Sequence, residues 1–352
     1  MTDNREELCR RFLEQAGWGA AERGVLAADA SFRRYDRLRR GGETAVLMDA
    51  PPPQENAEIF HFLTECLLDI ELSTPRPLAL DAQAGFLLLE DFGDRTFTRA
   101  LAEGADEAEL YRLATDTLVA LHQRWWVESP KIPAYDEAKL LAEAALLVDW
   151  FLPAMTGRET PAALRESYIA AWREVVPVML PDPKRVPHKL VLRDYHVDNL
   201  MVIEGRQGVA RCGLLDFQDA LMGPVSYDLV SLLEDARRDV SPAVVTEMLE
   251  RYHAGMHNLV DRWAFAASYA ALGAQRNAKI IGIFTRLSRR DNKHGYLRHI
   301  PRVWRLLEGD LATPALAPVK DWFDREVPPA LRGTPTQPEP QKPEKKQKDV
   351  QG

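Results

Sequence analysis

Acidic and amide side chains are concentrated between two apolar runs in the segment VLRDYHVDNLMVIEGRQGVARCGLLDFQDA, residues 191–220. Asp194 is followed five positions later by Asn199, and Asp216 comes after a second apolar run. A carboxylate can orient or accept the proton of an attacking hydroxyl, while an amide oxygen and a second carboxylate can hold Mg²⁺ on nucleotide phosphates. The segment therefore predicts a phosphoryl-transfer site, with Asp194 as the catalytic group and Asn199 and Asp216 as metal ligands.

Short strands must bring these three side chains together. HKLVLRD is expected to be a strand that runs into a loop, and LMVI and GVARCGLLDF are expected to form a hairpin around the turn EGRQG. This geometry places Asp194, Asn199 and Asp216 at one end of the hairpin. Asp or Asn in a loop often caps a turn, and Asp198 is interpreted in that way. His196, inside the same loop, is expected to form structural hydrogen bonds.

The rest of the chain divides into a short part with strands and a longer helical part. Before residue 92, strands are expected at Thr44–Met48 and Phe86–Glu90, with a helix at Gln54–Leu68 between them. The expected domains are a nucleotide-binding lobe over 1–92, a helical lobe over 93–332 and a disordered tail over 333–352, which is rich in Pro, Gln, Lys and Glu. Helices after residue 92 are expected at 106–124, 137–153, 161–179 and 225–310.

Composition limits the class of protein. The chain has 352 residues, of which 46% are hydrophobic, enough for one large domain or two lobes around a cleft. A net charge of −8 argues against a nucleic-acid binder, and no apolar run approaches the roughly 18 residues that span a bilayer. We expect a cytoplasmic protein whose partner is a small molecule, with its oligomeric state left open. Its cysteines, Cys9, Cys66 and Cys212, are widely spaced and are expected to be reduced thiols.

Several segments resemble a known family. LRDYHVDNL followed by LLDFQDALMGPVSYDLVSLLEDAR is similar to the catalytic and metal-binding segments of the aminoglycoside phosphotransferase family, the small-molecule branch of the protein-kinase-like fold. LATDTLVALHQRW resembles its Leu-His helix, and FLLLEDFGDRTF its last N-lobe strand and hinge. The resemblance implies a two-lobed α+β fold, and it makes Asp228 the buried anchor of the catalytic loop. Leu192 replaces the His that the family usually has two positions before the catalytic Asp, which affects support of the loop more than the chemistry.

A narrower resemblance lies at the two ends of the chain. DASFRRYDRLRRGGETAVLMDAPP and LGAQRNAKIIGIFTRLSRRDNKHGYLRHIPRVWRLL resemble the anomeric N-acetylmuramate/N-acetylglucosamine kinases of peptidoglycan recycling. This implies an enzyme that uses ATP and Mg²⁺ to phosphorylate the anomeric hydroxyl of the sugar. Two alternatives remain open: a kinase for an aminoglycoside-like or choline-like acceptor, and an inactive kinase-like binding module. The preferred sugar and nucleotide base also remain open.

The phosphate-binding part of the N-lobe departs from an ordinary kinase. No GxGxxG is present, and the equivalent loop is DASFRR, in which the small Ser31 would let backbone N–H groups approach a phosphate. In the strand TAVLMDA, Met48 occupies the expected position of the phosphate-binding lysine. Arg33 or Arg34 is predicted to supply the missing cation, because a planar guanidinium suits phosphate. The candidate partners for such an arginine are Glu55 and Glu58.

The remaining site predictions concern the base and the sugar. Glu90 and Phe92 lie at the expected hinge, where their backbone N–H and C=O groups would contact the adenine edge. Asp219 is predicted to hold a sugar hydroxyl. Gln275 and Arg276 are predicted to bind the sugar as well, with Arg276 facing the lactyl carboxylate of N-acetylmuramate.

Overall fold

The chain begins with a helix and a five-stranded antiparallel sheet. The computed structural model describes residues 2–28 and 33–337. The elements are α1 (Thr2–Gln15), β1 (Glu22–Ala28), β2 (Arg34–Arg40), β3 (Glu43–Asp49), α2 (Ala57–Asp69), β4 (Pro77–Asp81) and β5 (Phe86–Glu90). The sheet has the strand order β1-β2-β3-β5-β4, and neighbouring strands are antiparallel.

The two faces of this sheet have different environments, because successive side chains on a strand point to opposite faces. On β3, Ala45 and Leu47 belong to an apolar cluster that includes Phe12 of α1. Val46 and Met48 belong to the main core, together with residues of α2 and of the later helices. One face is thus covered by α1, while the other contributes to the pocket described below.

Helices dominate the remainder, with two small sheets between them. β6 (His188–Val191) pairs with β9 (Leu221–Pro224), and β7 (Leu200–Val202) pairs with β8 (Cys212–Leu214). The helices are α3 (Phe97–Ala102), α4 (Glu107–Arg124), α5 (Glu137–Ala144), α6 (Leu152–Thr156), α7 (Ala162–Met179), α8 (Tyr227–Leu233), α9 (Pro242–Gly255), α10 (Arg262–Asp291), α11 (Ile300–Leu311) and α12 (Ala317–Glu326).

The expected hairpin is present, but its surroundings differ from the prediction. Residues 208–211, expected to be strand, form a 3₁₀ turn before β8. The sequence reading missed β9, which pairs with β6 just before the segment turns into α8. The helix expected over 137–153 is interrupted by a π-helical turn at Leu147–Phe151. The region 225–310 is helical as expected and contains four α-helices.

The backbone groups into two compact units that differ from the predicted lobes. One unit comprises residues 1–136 and 178–272, and the other comprises 137–177 and 273–352. The lobe boundary at residue 92 therefore stays a prediction. Of the tail expected to be disordered, residues 333–337 contain no helix or strand, but Pro335 is buried and the Thr336 carbonyl accepts a hydrogen bond from Arg289. Residues 338–352 lie outside the described residues.

The cysteines are free thiols, as expected. Cys9 and Cys212 are buried and Cys66 is partly buried. Burial raises the pKa of the Cys212 thiol to about 12, so this side chain is a packing residue at neutral pH. Among the residues that the structure describes, no helix is both long and apolar enough to cross a membrane.

Candidate active site

A pocket of about 330 Å³ lies within the first compact unit, between the N-terminal sheet and the β7–β8 hairpin. Its walls are largely apolar, and its polar lining residues lie beside the hairpin, at Asn199 and Asp216, and in the segment from Glu90 to Thr96. This combination is typical of ligand sites, where apolar walls hold the ligand and a few polar groups orient it. The residues that line it include Tyr35, Val46, Leu89, Phe92, Asn199 and Asp216.

The loop after β6 is fixed by one buried carboxylate. Asp228, on α8, is completely buried. Its Oδ2 accepts a hydrogen bond from the Leu192 N–H at 2.6 Å, and its Oδ1 accepts one from the Arg193 N–H at 2.8 Å. Arg193 has a φ of 71°, a left-handed conformation that costs energy for a non-glycine residue. The two hydrogen bonds to Asp228 hold the loop in this conformation. The predicted role of Asp228 as the anchor of the loop requires such contacts.

Asp194, Asn199 and Asp216 come together at the end of the loop. Asp194 is exposed, so its carboxylate is accessible to an acceptor. The Asn199 side-chain Nδ2 donates to the Asp194 carbonyl at 3.0 Å and lies 3.5 Å from Asp216 Oδ2. Asp216 has a φ of 57°, which Asp tolerates better than most residues. The fold thus joins the three residues that the sequence predicted as one site.

The oxygen donors of this site fit a magnesium ion. Because Asn199 uses its amide nitrogen toward Asp194, its Oδ1 is the atom that can face a cation. Asp216 offers carboxylate oxygens beside it, although Oδ1 also accepts from Gln218 Nε2 at 3.0 Å. Two oxygen side chains at the end of a nucleotide-sized pocket suit Mg²⁺, which takes its other ligands from phosphates and water.

Arg33 lies at this site and Arg34 does not. The Arg33 side chain is only 6% exposed, and it forms ion pairs with Asp216 at 3.2 Å and with Glu55 at 3.4 Å. Burial lowers the pKa of its guanidinium, but Tyr35, Asp216 and Glu55 more than offset this, so the net shift is upward and the group stays charged. Arg34 is exposed and pairs with Asp36 at 3.2 Å. The prediction that Arg34 binds nucleotide is therefore not supported.

The other residues predicted around the phosphate loop are Ser31, Glu55, Glu58 and Met48. Ser31 lies outside the described residues. Glu58 is exposed on the first turn of α2, whereas Glu55, just before that helix, is the partner of Arg33. Met48 is buried and lies directly across from Tyr35 in the β2–β3 ladder. Since Tyr35 and Val46 both line the pocket, Met48 is on the pocket-facing side of β3.

The hinge contributes backbone and ring atoms to the pocket. Glu90, Phe92 and the intervening Asp91 all line it. The Glu90 N–H donates to the Arg76 carbonyl at 2.8 Å, so it is not available to a base. This corrects the expectation that both backbone groups of Glu90 contact adenine, and it leaves the Glu90 carbonyl and the Phe92 N–H as the candidates.

Two arginines that the sequence analysis did not single out hold this hinge. Arg37, buried on β2, pairs with Asp91 at 2.8 Å and with Asp94 at 2.9 Å. Arg206 pairs with the Glu90 carboxylate, and its guanidinium lies 5.2 Å from the centre of the Phe92 ring. In the sequence, these arginines are distinguished only by their positions. Arg37 follows Asp36 directly, and Arg206 lies in the EGRQG turn.

His196 and Asp198 lie within the loop after β6, and Asp219 lies after β8. His196 is buried, with Nδ1 3.3 Å from the Asp198 N–H and Nε2 3.3 Å from an Arg237 nitrogen. These contacts agree with a structural role. Asp198 accepts a hydrogen bond from the Thr98 hydroxyl. Asp219 is exposed three residues after Asp216, where its carboxylate accepts from Gln218 at 3.2 Å.

Gln275 and Arg276, predicted to bind the sugar, are enclosed by the protein. Gln275 has no exposed surface, and its Nε2 donates to the Leu140 carbonyl at 2.9 Å. Arg276 is 4% exposed. A sugar has no access to a fully buried side chain, so the structure argues against the predicted contact. Gln275 and Arg276 are thus buried polar residues of α10 and do not form a solvent-facing substrate surface.

The fold and this site define the class of kinase-like phosphotransferases. A choline/ethanolamine kinase family protein from Mesorhizobium loti has a similar structure, with a TM-score of 0.61, 14% identity and coverage of 90% of this chain and 99% of that one. The ADP-bound aminoglycoside phosphotransferase APH(2'')-Ib has a TM-score of 0.54 and 16% identity, with coverage of 86% and 96%. At these identities the likeness concerns the fold, and it confirms the kinase-like prediction.

Sequence comparison places the chain within that class. The model of the phosphotransferase enzyme family named APH matches residues 24–265. The chain belongs to this family, which confirms the prediction of a phosphotransferase enzyme. An N-acetylmuramate/N-acetylglucosamine kinase of Caulobacter vibrioides is 37% identical, over 93% of this chain and 98% of that protein. A kinase of the same name from Pseudomonas aeruginosa is 39% identical, over 86% and 88%.

Proposed function

We propose that the protein transfers the terminal phosphate of ATP to the anomeric hydroxyl of N-acetylmuramate or N-acetylglucosamine. The observation that carries this proposal is the Asn199 amide, which joins Asp194 and Asp216 at the end of the pocket. The names of relatives at 37–39% identity support the choice of acceptor. Such an enzyme would act in the cytoplasm on sugars released from peptidoglycan.

Asp194 is the proposed catalytic residue. Its exposed carboxylate orients the anomeric hydroxyl and accepts its proton as the hydroxyl oxygen attacks the terminal phosphorus. The bond between that phosphorus and the bridging oxygen breaks as the sugar oxygen–phosphorus bond forms, and ADP leaves. An anomeric hydroxyl is more acidic than an ordinary alcohol, so correct orientation contributes more here than proton removal.

Asn199 and Asp216 are the proposed magnesium ligands. When bound, Mg²⁺ neutralises charge on the phosphates and so favours transfer to the hydroxyl. The protein's own contribution is to hold both oxygen donors in place. The Asn199 amide is tied to the Asp194 carbonyl, and the Leu215 N–H donates to the Asn199 carbonyl at 3.0 Å.

The remaining contacts follow the shape of the pocket. The Glu90 carbonyl and the Phe92 N–H are proposed to contact the adenine edge, with Val46 and Leu89 against the ring faces. Asp219, exposed beside the catalytic segment, is proposed to accept a hydrogen bond from a sugar hydroxyl.

ATP consumption by the purified protein with Mg²⁺ tests this function. The acceptors are N-acetylmuramate, N-acetylglucosamine, glucose, choline and kanamycin, and Asp194→Asn is compared with the wild type. We expect turnover on the N-acetyl sugars to yield an acid-labile sugar 1-phosphate. Asp194→Asn should reduce kcat by about 10²–10⁴-fold, the range for loss of general acid–base catalysis.

Each other result rejects part of the proposal. Turnover only on choline or kanamycin would retain the kinase and reject the sugar. An acid-stable product from the N-acetyl sugars would place the phosphate on another hydroxyl. Nucleotide binding without turnover on any acceptor would favour the inactive binding module.

A further inference from the structure

The first 130 residues of the chain, which contain the whole N-terminal sheet, include no lysine; the first one is Lys131. Kinases of this general fold neutralise the nucleotide phosphates with a strand lysine that pairs with a helix glutamate. On the pocket-facing side of β3, Val46 lines the pocket and Met48, two residues further on, is buried, and neither side chain carries a charge. Any cation that the sheet supplies to the phosphates must therefore be an arginine.

Arg33, just before β2, contacts different carboxylates from Arg34 and Arg37 on that strand. Arg34 and Arg37 are each committed to other carboxylates, Arg34 to Asp36 and Arg37 to the hinge. Arg33 precedes β2 and extends to Asp216, a proposed magnesium ligand. Its guanidinium therefore lies at the end of the pocket where the terminal phosphates of a nucleotide must be placed for transfer.

Glu55 holds Arg33 from the other side. Its Oε2 lies 3.4 Å from Arg33 Nε, on the edge of the guanidinium next to the side-chain stem. The Glu55 backbone is itself fixed, because its N–H donates to the Pro51 carbonyl at 3.1 Å and the next residue, Asn56, caps α2. The Glu55 backbone is thus held just before α2, and because its carboxylate pairs with Nε, the Nη2 nitrogen of Arg33 is left to pair with Asp216 at 3.2 Å.

We propose that Arg33 and Glu55 replace the missing lysine–glutamate pair, with Arg33 as the phosphate-binding cation and Glu55 as its positioning residue. The inference rests on the proposed function for the identity of the nucleotide. A guanidinium between two carboxylates is attracted to both, and Glu55 balances the attraction of Asp216. Without Glu55, Arg33 pairs more tightly with Asp216 and competes with the metal for that side chain.

Binding of ATP and of adenosine, measured by calorimetry without an acceptor, tests the role of Arg33. Arg33→Met should weaken ATP binding about 10–100-fold, the effect of losing a hydrogen bond between charged groups. Adenosine affinity should stay within about twofold, because adenosine has no phosphate. Arg34→Met, one residue away and paired outside the pocket, should bind both ligands like the wild type.

The role of Glu55 is tested by the magnesium dependence. Glu55→Gln should raise the Mg²⁺ concentration for half-maximal ATP binding about tenfold, and Glu55→Asp should restore part of the difference. Glu58→Gln, at an exposed position on the first turn of α2, should leave this concentration unchanged. An unchanged magnesium requirement in Glu55→Gln would overturn the positioning role.

Moving the cation provides the sharpest test. In the double variant Arg33→Met/Met48→Lys, a lysine on the pocket-facing side of β3 should recover at least about tenfold of the lost ATP affinity. A double variant that binds adenosine normally but ATP no better than Arg33→Met would contradict the replacement. Equal loss of ATP and adenosine in Arg33→Met would show that Arg33 supports the pocket instead of the phosphates.

Failure of the proposed function would look different. A wild-type protein that binds ATP much more tightly than adenosine, and loses this preference in Arg33→Met, supports the inference even if no sugar in the panel is phosphorylated. The acceptor assignment would then be rejected by itself.

Discussion

At the scale of single residues, the Asp228 carboxylate controls the shape of the catalytic loop. It accepts two backbone hydrogen bonds, from Leu192 and Arg193, while it is fully buried. Both of its oxygens face N–H donors. In Asp228→Asn the new amide NH₂ would oppose one of these donors, and a buried donor without an acceptor costs roughly 1–3 kcal/mol. We expect a lower free energy of unfolding by this amount and a kcat at least about tenfold lower, with a smaller change in KM for ATP.

An Asp→Asn substitution is expected to be harmless where the Asp side chain caps a helix. Asp106 caps α4 by accepting from the Glu109 N–H, and Asn serves at such positions as well as Asp. Asp106→Asn is therefore the matched control in urea unfolding and steady-state kinetics. Equal behaviour of the two variants would contradict the anchoring role of Asp228.

At the scale of secondary-structure elements, β8 approaches the hinge so closely that its central residue has no room for a side chain. A Cβ atom on Gly213 would lie 2.9 Å from ring atoms of Phe92 and 2.8 Å from Ile203 Cδ1. Gly213→Ala should therefore displace the Phe92 ring at the hinge. We expect a free energy of unfolding lower by about 1–3 kcal/mol, as for other overpacked sites, and a raised KM for ATP with little change in KM for the sugar.

Gly24 on β1 provides the comparison for this strand glycine. A Cβ added there meets no atom within 4 Å, so Gly24→Ala should leave the KM for ATP and the stability nearly unchanged. If Gly213→Ala raised the KM for the sugar and not that for ATP, the link between β8 and the nucleotide pocket would be refuted.

At the scale of the whole molecule, a buried histidine makes stability depend on pH. His122 on α4 is fully buried, and its Nδ1 lies 2.8 Å from the Tyr252 hydroxyl. Burial lowers the pKa of His122 to about 3, below the ordinary value of 6.5. Below pH 6.5, His122 binds a proton in the unfolded chain but stays neutral in the folded protein until the pH approaches 3. The stability from this group is therefore complete above pH 6.5 and falls steadily as the pH drops toward 3.

Chemical unfolding at pH 7 and pH 5 measures this effect. The contribution of His122 should fall by about 2 kcal/mol between these values, from 1.36 kcal/mol per pH unit below 6.5. His122→Gln removes the titrating ring, so its loss of stability over the same interval should be smaller by that amount. Parallel losses in the wild type and the variant would show that His122 is protonated in the folded protein.

The sequence by itself determined the residues that react and the elements that carry them. Asp194, Asn199 and Asp216 were recognisable because their types and spacing meet the needs of phosphoryl transfer, and the hairpin between Asn199 and Asp216 was marked by apolar runs around a glycine-containing turn. The strand at residues 86–90 and the helix after Asp106 were also predicted correctly, since local periodicity and a cap define them.

Only the tertiary structure decided which polar residues face the pocket. The sequence could not separate Arg33 from Arg34, because the carboxylate that distinguishes them, Asp216, is distant in the chain and pairs with Arg33, whereas Arg34 pairs with Asp36. It could not show that Gln275 is buried, because the partner of that side chain is a carbonyl 135 residues away in the chain. Pairing of β6 with β9 is likewise a contact between distant segments. The residue types and spacing within a segment determine which chemistry its side chains can perform. Contacts between segments that are distant in the chain determine which of those side chains a ligand can reach.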